Sequence, residues 1–399
     1  MDSRIALGEL CSFYRGASVP RARMHDTGDY RYIHYGDLYR GFDLRIDVES
    51  PSKQIPFISA NEKIKPSQFL QDQDIVYVLT SETIDDLGHA FLFNNPNGYP
   101  SVSGTETTIV RVERRDILLP SYLNYVLKSS TFIRLLRQYV RGMKVFRVHP
   151  KDVARIEIDV PPIDRQRKAT ALFDAIYDKQ RANTKLNGYL EELADALFQQ
   201  QFGTLADNAV LADVAEITMG QSPAGSSYNE NGVGTVFYQG RAEFCWRYPT
   251  QRLCTTEPKR MAKAGDVLMS VRAPVGDLNL AYEDCCVGRG LAAIHCARPS
   301  FGLYLMRSLH EKLDAYNGEG TVFGSINGKT LKGLPIALPE DVAIDAFEKE
   351  VSPIDAQIRS NEAESRLLVA LRDTLLPKLM SGEIDVSKVD LTQLNSHLA

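Results

Sequence analysis

A chain of 399 residues, 44% hydrophobic and 24% charged, exceeds what one hydrophobic core usually serves, so two or more globular domains are expected and disorder or a fibre is excluded. The net charge of -5 and pI near 5.9 argue against a protein that coats nucleic acid nonspecifically, because its summed field repels phosphate. The opening MDSRIALGEL has no apolar run fit for a signal peptide, and no stretch nears the roughly 18 apolar residues of a membrane span, so a soluble cytoplasmic protein is expected.

The first segment, residues 1–160, reads as a mostly β domain. Runs such as DIVYVLT, TETTIVRV and ARIEIDV alternate with Gly, Asn, Ser and Pro clusters, the grammar of strands and turns. Near its end TFIRLLRQYVRGMKVFRVHPK, residues 131–151, holds six Lys or Arg and no acid, a positive island in an acidic chain. Arginine and lysine neutralise phosphate, and arginine can also bind guanine in bidentate fashion. Arg141, Lys144, Arg147 and Lys151 are therefore candidate DNA contacts, with Arg134, Arg137, Tyr139 and Phe146 alongside. The spacing Arg134, Arg137, Arg141 equally suits a solvated helix face.

VPPIDRQRKATALFDAI, from Val160, marks a boundary: proline removes an amide donor and disfavours helix in the residue before it. A helix over 161–203 follows, with Gly203 as a left-handed stop. Residues 204–338 repeat the β grammar in DVLMSV and LAAIHC, and LPEDVAIDAFEKEVSPI introduces a second helical segment over 339–382, closed by Gly382, with a tail over 383–399. Ser352 as cap and Pro353 as first residue predict that its long helix starts there, after a shorter one.

The two halves are copies. LGELCSFYRGASVP matches LADVAEITMGQSP with Gly16 against Gly220, and Gly36 falls against Gly240; QDQDIVYV matches AKAGDVLMSV with Asp74 against Asp266; MKVFRVHPKDV matches GTVFGSINGKTL with Val145 and Phe146 against Val322 and Phe323. The helices share a heptad: Ile176, Asn183, Leu190 and Leu197 correspond to Ile354, Asn361, Leu368 and Leu375. Leu186 and Leu193 form a neighbouring row that Leu371 continues. Apolar residues at this period bury against a partner helix, and the simplest partner is the other copy, antiparallel if a pseudo-twofold axis relates them. The asparagines then sit in or beside the seam, trading stability for register; two unrelated exposed asparagines are the plain alternative. Ile176 to Leu197 spans 21 steps, roughly 32 Å at about 1.5 Å per residue, close to the ~34 Å between half-sites one DNA turn apart.

In the second domain Arg241, Lys259, Arg260, Arg272, Arg289 and Lys329 are the candidate DNA contacts. Arg272 in SVRAPVGD and Arg289 in VGRGL stand beside glycines that let backbone approach a ligand, although structural turns explain those glycines as well. GSINGKT imitates a phosphate loop, but the spacing requires glycine where Phe323 stands. Cys11, Cys245, Cys254, Cys285, Cys286 and Cys296 include no C-x2-C pair and read as reduced thiols rather than a disulfide framework or metal site. No Asn-Pro-Pro-Tyr-like tetrapeptide, glycine-rich cofactor loop or nuclease carboxylate set is present, and His34 and His149 read as surface or DNA-facing residues rather than general bases.

The order domain, helix, domain, helix, the junction VPPIDRQRKATALFDAIYDKQ, LEELADALFQQQFG and the closing LLVALRDTLLPKLMSGEIDV together resemble the specificity subunits of type I restriction-modification enzymes. The resemblance covers the chain to about residue 386, and its helical segments carry the specific motifs. It implies an α+β fold with two similar mostly-β target recognition domains separated by two long antiparallel helices. It further implies a non-catalytic subunit that reads a bipartite site on double-stranded DNA, one half per domain, while its helices dock two modification subunits. S-adenosylmethionine is expected on those partners, ATP and Mg2+ on restriction subunits of the larger complex, and no cofactor, metal or membrane on this chain. The second junction departs from the pattern, lacking the glutamine and one proline, which puts its partner contact in question. The rival reading is a protein-interaction scaffold that does not bind DNA; a self-sufficient enzyme ranks below both.

Overall fold

The computed structural model describes residues 3–38, 42, 44–49, 53–84, 86–317, 324–380 and 384. Val322, Phe323, Gly382 and, apart from Ile384, the tail at 383–399 lie outside them. The chain divides into two compact units, Met1–Ala182 with Ser365–Ala399, and Asn183–Glu364. The helices that matter below are α1 (Pro120–Lys128), α2 (Pro150–Val153), α3 (Ile163–Phe202), α4 (Pro299–Ser308), α5 (Gly328–Lys332) and α6 (Asp341–Met380).

In the first unit the β-branched and aromatic runs form a five-stranded sheet in the order Cys11–Arg15, Thr107–Val112, Ile75–Val78, Ala90–Asn94, Arg45–Asp47, antiparallel except for the last pair. A three-stranded sheet joins Phe57–Ile58, Tyr30–Ile33 and Ser101–Ser103, the latter two parallel. Ile75, Tyr77, Val110 and Leu92 pack with Leu123 and Leu127 of α1, while Val76, Val78, Phe91 and Ile109 bury on the other face. Because both faces are covered, Ile75–Val78 reads as a continuous apolar run instead of alternating.

The second unit repeats this plan. Ala215–Met219, Leu291–Cys296, Val267–Ser270 and Leu278–Leu280 form an antiparallel sheet, and Thr235–Tyr238 runs parallel to Cys285–Val287 in a five-stranded one. The register fixes the equivalences. Gly16 N–H donates to Thr107 O (3.0 Å) and Gly220 N–H to Leu291 O (2.9 Å). Gly104 N–H donates to Ile33 O and Gly288 N–H to Tyr238 O, a separation of 205 that is one residue off the sequence match of Gly36 with Gly240. A Cβ on Gly16 would lie 1.8 Å from Gly104 O, and one on Gly220 2.1 Å from Gly288 O, so close backbone approach demands the repeated glycine. Asp74 and Asp266 each close a turn, accepting from Gln71 N–H and Lys263 N–H (2.8 Å each), and each meets a nitrogen-bearing side chain across the sheet: Arg111 at 2.7 Å, His295 at 2.6 Å.

Each long helix contributes to both units, and within each unit a segment of α3 packs beside a segment of α6. In the first, Leu172, Phe173, Ile176 and Tyr177 belong to the cluster against which Leu368 and Leu375 pack, and Gln180 Nε2 donates to Ser365 O (3.4 Å). In the second, Leu197 and Ile354 lie against the cluster of Ala194, Phe198, Phe202, Phe347 and Val351. Asn183 and Asn361 are both buried; Asn183 Nδ2 donates to Asn361 O (3.3 Å) and Glu364 Oε2 (2.8 Å), and Asn361 Nδ2 to Asn187 Oδ1 (2.7 Å). With Gln201 meeting Glu350 (3.1 Å), rising numbers on α3 face falling numbers on α6, so these segments are antiparallel. Leu190 is half-buried.

Three expectations change. The second helix does not restart at Pro353: α6 is continuous, since Pro353 is exposed and removes one amide donor on the outer face, while Phe347, Val351 and Ile358 bury on the inner one. Leu186, Leu193 and Leu371 are about half exposed (44%, 49% and 45%), and buried Asn187 and Ala194 take the inner face, because a helix of about 3.6 residues per turn drifts against a strict repeat of seven. Gly203 follows α3 without a left-handed φ; its amide continues the helical pattern to Gln199 O, and a Cβ would meet that oxygen at 2.5 Å.

The junction glutamine also gains a reason. Gln166 is fully buried, accepts from Leu119 N–H (2.8 Å) and donates to Ile117 O (2.7 Å) and Pro161 O (2.8 Å). It welds the start of α3 to the loop before α1 and makes no surface for a partner. In the second copy buried Ile344 takes its place, and Glu348 accepts from Ser300 and Phe301 N–H at the start of α4 instead.

One polar device appears in both units. Tyr125 of α1 donates to Asp174 of α3 (2.9 Å), and Arg45 pairs with the same carboxylate while lying 5.0 Å from the ring of Tyr177. Tyr304 of α4 donates to Asp355 of α6 (3.0 Å), and Arg247 pairs with that carboxylate and with Glu191 of α3 (3.1 Å). Each clamp ties the long helix to its domain.

Candidate nucleic-acid interface

In the first unit the basic stretch divides. Arg134 stands exposed within the helix Ser130–Arg137, and Arg141 lies beyond its end. Arg141 and Arg147 exchange backbone hydrogen bonds (2.9 and 2.8 Å), closing a small loop that turns at Gly142, whose φ is +107°. A Cβ there would sit 2.0 Å from Val145 O, so glycine is required. Lys144 is on the tip, exposed, next to Met143, which is 95% exposed; sequence reasoning passed over that methionine although it stands among the cations. Arg141 reaches Asp152 at 3.4 Å. Lys151 follows on α2, capped by His149, whose Nδ1 accepts from Lys151 N–H (3.1 Å). His34 plays a similar local part, accepting from Gly36 N–H (3.1 Å), and its burial lowers its pKa; by these hydrogen bonds both histidines serve as backbone caps.

In the second unit the loops carrying Arg241, Arg272 and Arg289 converge. Gly290 N–H donates to Gln239 O (3.1 Å), and Val271 N–H to Gly290 O (2.9 Å), so one short backbone relay links all three. Arg241 is committed to Asp277. Arg272 and Arg289 are exposed, and Arg289 N–H donates to Ser222 Oγ (3.3 Å). Lys329 lies on α5, which packs on the strand Ala215–Met219. Lys259 and Arg260, both exposed, sit at another edge, where Val287 N–H donates to Arg260 O. GSINGKT is no phosphate loop: Ile326 is buried, and Asn327 Oδ1 accepts from Thr330 N–H (3.0 Å) to start a helix of five residues.

Lys151 and Lys329 occupy the same place. Each is the second residue of the short helix that follows a buried residue, Val148 or Ile326, and a capping residue, His149 or Asn327. None of the exposed side chains of Lys144, Arg147, Lys151, Lys259, Arg260, Arg272, Arg289 and Lys329 has a hydrogen-bond or ion-pair partner among the described residues. Such cations keep their full hydration and their field for a ligand.

Burial pushes the thiols of Cys11 and Cys285 up to about 12 and that of Cys296 to about 11, far from thiolate chemistry. Among the described residues no group of three or more His, Cys, Asp or Glu could hold a metal ion, and no helix is long and apolar enough to cross a membrane.

No family model matches the chain. It is 29% identical, over 67% of its length and 68% of the other's, to a Methanocaldococcus jannaschii protein named for the specificity subunit of type I restriction enzyme MjaX. It is 20% identical to the type I restriction enzyme HindI specificity subunit of Haemophilus influenzae, covering 89% of this chain and all of that one. Its fold is similar, with a TM-score of 0.59 over 95% of this chain and 96% of the other, to the crystal structure of the S subunit of a type I restriction-modification system from M. genitalium, at 13% identity. With its doubled domain and two long helices, the chain is thus similar in sequence to type I restriction enzyme specificity subunits and shares the fold of an S subunit.

Proposed function

We propose that this chain directs a methyltransferase to DNA without catalysing a reaction itself, each unit reading one half of a bipartite duplex site. The observation that carries the reading is duplication with charge: two copies of one fold, each presenting at matching places Lys and Arg that have no partner among the described residues, in an acidic chain. Local cation clusters neutralise phosphate even where net charge is negative. The residues assigned to contact are Lys144, Arg147 and Lys151 in the first unit and Arg272, Arg289 and Lys329 in the second, with Arg141 and Arg241 beside them and Lys259 and Arg260 at another edge of the second.

The long helices supply the partner surface in this reading. Tyr189 and Leu193 of α3 are 57% and 49% exposed; their heptad equivalents on α6, Leu367 and Leu371, are 71% and 45% exposed. Large apolar side chains left in water at the same two positions of both copies suit two molecules of one modification subunit. S-adenosylmethionine belongs on those subunits, and ATP and Mg2+ on restriction subunits where these join, all in the cytoplasm. Genome-wide adenine methylation mapped with and without the gene tests the assignment: one bipartite motif loses its methylation when the gene is removed, and an unchanged methylome refutes it.

A further inference from the structure

The two units carry a backbone bridge with the same pairing pattern. In the first, Val148 N–H donates to Leu79 O (2.9 Å) and Arg147 lies opposite Thr80. In the second, Ile326 N–H donates to Val271 O (3.1 Å), Ala273 N–H to Gly324 O (3.0 Å), and Arg272 lies opposite Ser325. Leu79 corresponds to Val271 and Val148 to Ile326, all four buried, so Thr80 corresponds to Arg272 and Arg147 to Ser325. Each bridge therefore holds one exposed arginine and one small hydroxyl residue, but the arginine comes from opposite strands in the two copies. Next to each bridge stands the equivalent lysine, Lys151 or Lys329.

Residues that read different base sequences have no reason to agree between the units. What every half-site shares is its phosphate backbone. A charge kept at one place in the fold while its sequence position changes fits that common element. We propose that Arg147 and Arg272 are equivalent phosphate anchors, defined by the bridge and not by the strand that supplies the side chain. The proposal rests on the DNA-targeting reading above and assigns the part of the site that is indifferent to sequence.

The test is an arginine exchange in the full-length chain, with a mixed-sequence duplex as probe and binding titrated against salt. Arg147→Thr and Arg272→Ser each lower the slope of log K against log salt by roughly 0.9, the contribution of one phosphate. The exchanged pairs, Arg147→Thr with Thr80→Arg and Arg272→Ser with Ser325→Arg, restore it. Thr80 is half-buried, whereas Ser325 is exposed, so the second exchange tests the idea without strain and thermal denaturation verifies its fold. Wild-type binding with unchanged slopes in both single variants overturns the anchors and leaves the targeting role standing. A folded second exchange that binds no better than Arg272→Ser also overturns them. Absence of duplex binding by the wild type, with or without modification subunits, sinks the targeting role and the anchors together.

Discussion

Replacing Asp355 with alanine strips the Arg247 clamp of its nearest counter-charge. Arg247 is 3% exposed, and burial alone would lower its pKa; Asp355 and the neighbouring phenols outweigh that, and the guanidinium stays charged. Removing one partner of a buried ion pair costs about 3–5 kcal/mol. Glu191 remains at 3.1 Å and is itself shared with Arg307 at 3.0 Å, which places the cost at the low end, about 3 kcal/mol, or roughly a 150-fold fall in the folded-to-unfolded ratio. Tyr304 loses its acceptor in the same step. The chain's one tryptophan, Trp246, adjoins Arg247, so its fluorescence in a urea titration reports the second unit specifically. The double variant Arg247→Met with Asp355→Leu removes both charges and is expected to be more stable than Asp355→Ala. A single-variant cost below about 1 kcal/mol, or a double variant less stable than the single, would show that the clamp acts through packing and not through buried charge.

Gln166→Leu orphans one amide and two carbonyls inside the first unit, at a cost of about 2–3 kcal/mol; amide exchange at Leu119 accelerates while the second unit is unchanged, and unaltered protection there contradicts the role. Changing Arg141, Lys144 and Arg147 together to alanine weakens duplex binding and lowers its salt slope by roughly two to three; retention of both removes this loop from the interface. Tyr189→Asp with Leu193→Asp, or Leu367→Asp with Leu371→Asp, abolishes assembly with a modification subunit in light scattering while leaving the melting temperature in place. Intact complexes from both variants would move the docking surface elsewhere.

The doubled plan was legible because strands and helices announce themselves by period, and Asp74 with Asp266 or Gly16 with Gly220 kept their neighbours. The heptad located Ile176, Asn183 and Asn361 among buried residues but misjudged Leu186 and Leu193. A strict repeat of seven drifts against a helix of about 3.6 residues per turn, and Asn187, a polar residue, holds the inner position. Pro353 misled for a related reason: local propensity predicts a start, yet packing on both sides of the proline carries the helix through. Lys151 and Lys329 were chosen for charge alone, and only the register shows that they are one place seen twice. The swapped arginines were invisible to alignment, since matching letter to letter sets Arg147 against a small residue and hides the exchange.

The first unit draws on Leu368 and Leu375 as well as on residues up to Ala182. On a ribosome, where chains emerge from the amino end and domains close as units, everything the second unit needs is out before those two leucines arrive. Of the two units, the one translated first is thus completed second, waiting with an uncovered patch on α3 until Leu368 and Leu375 have emerged.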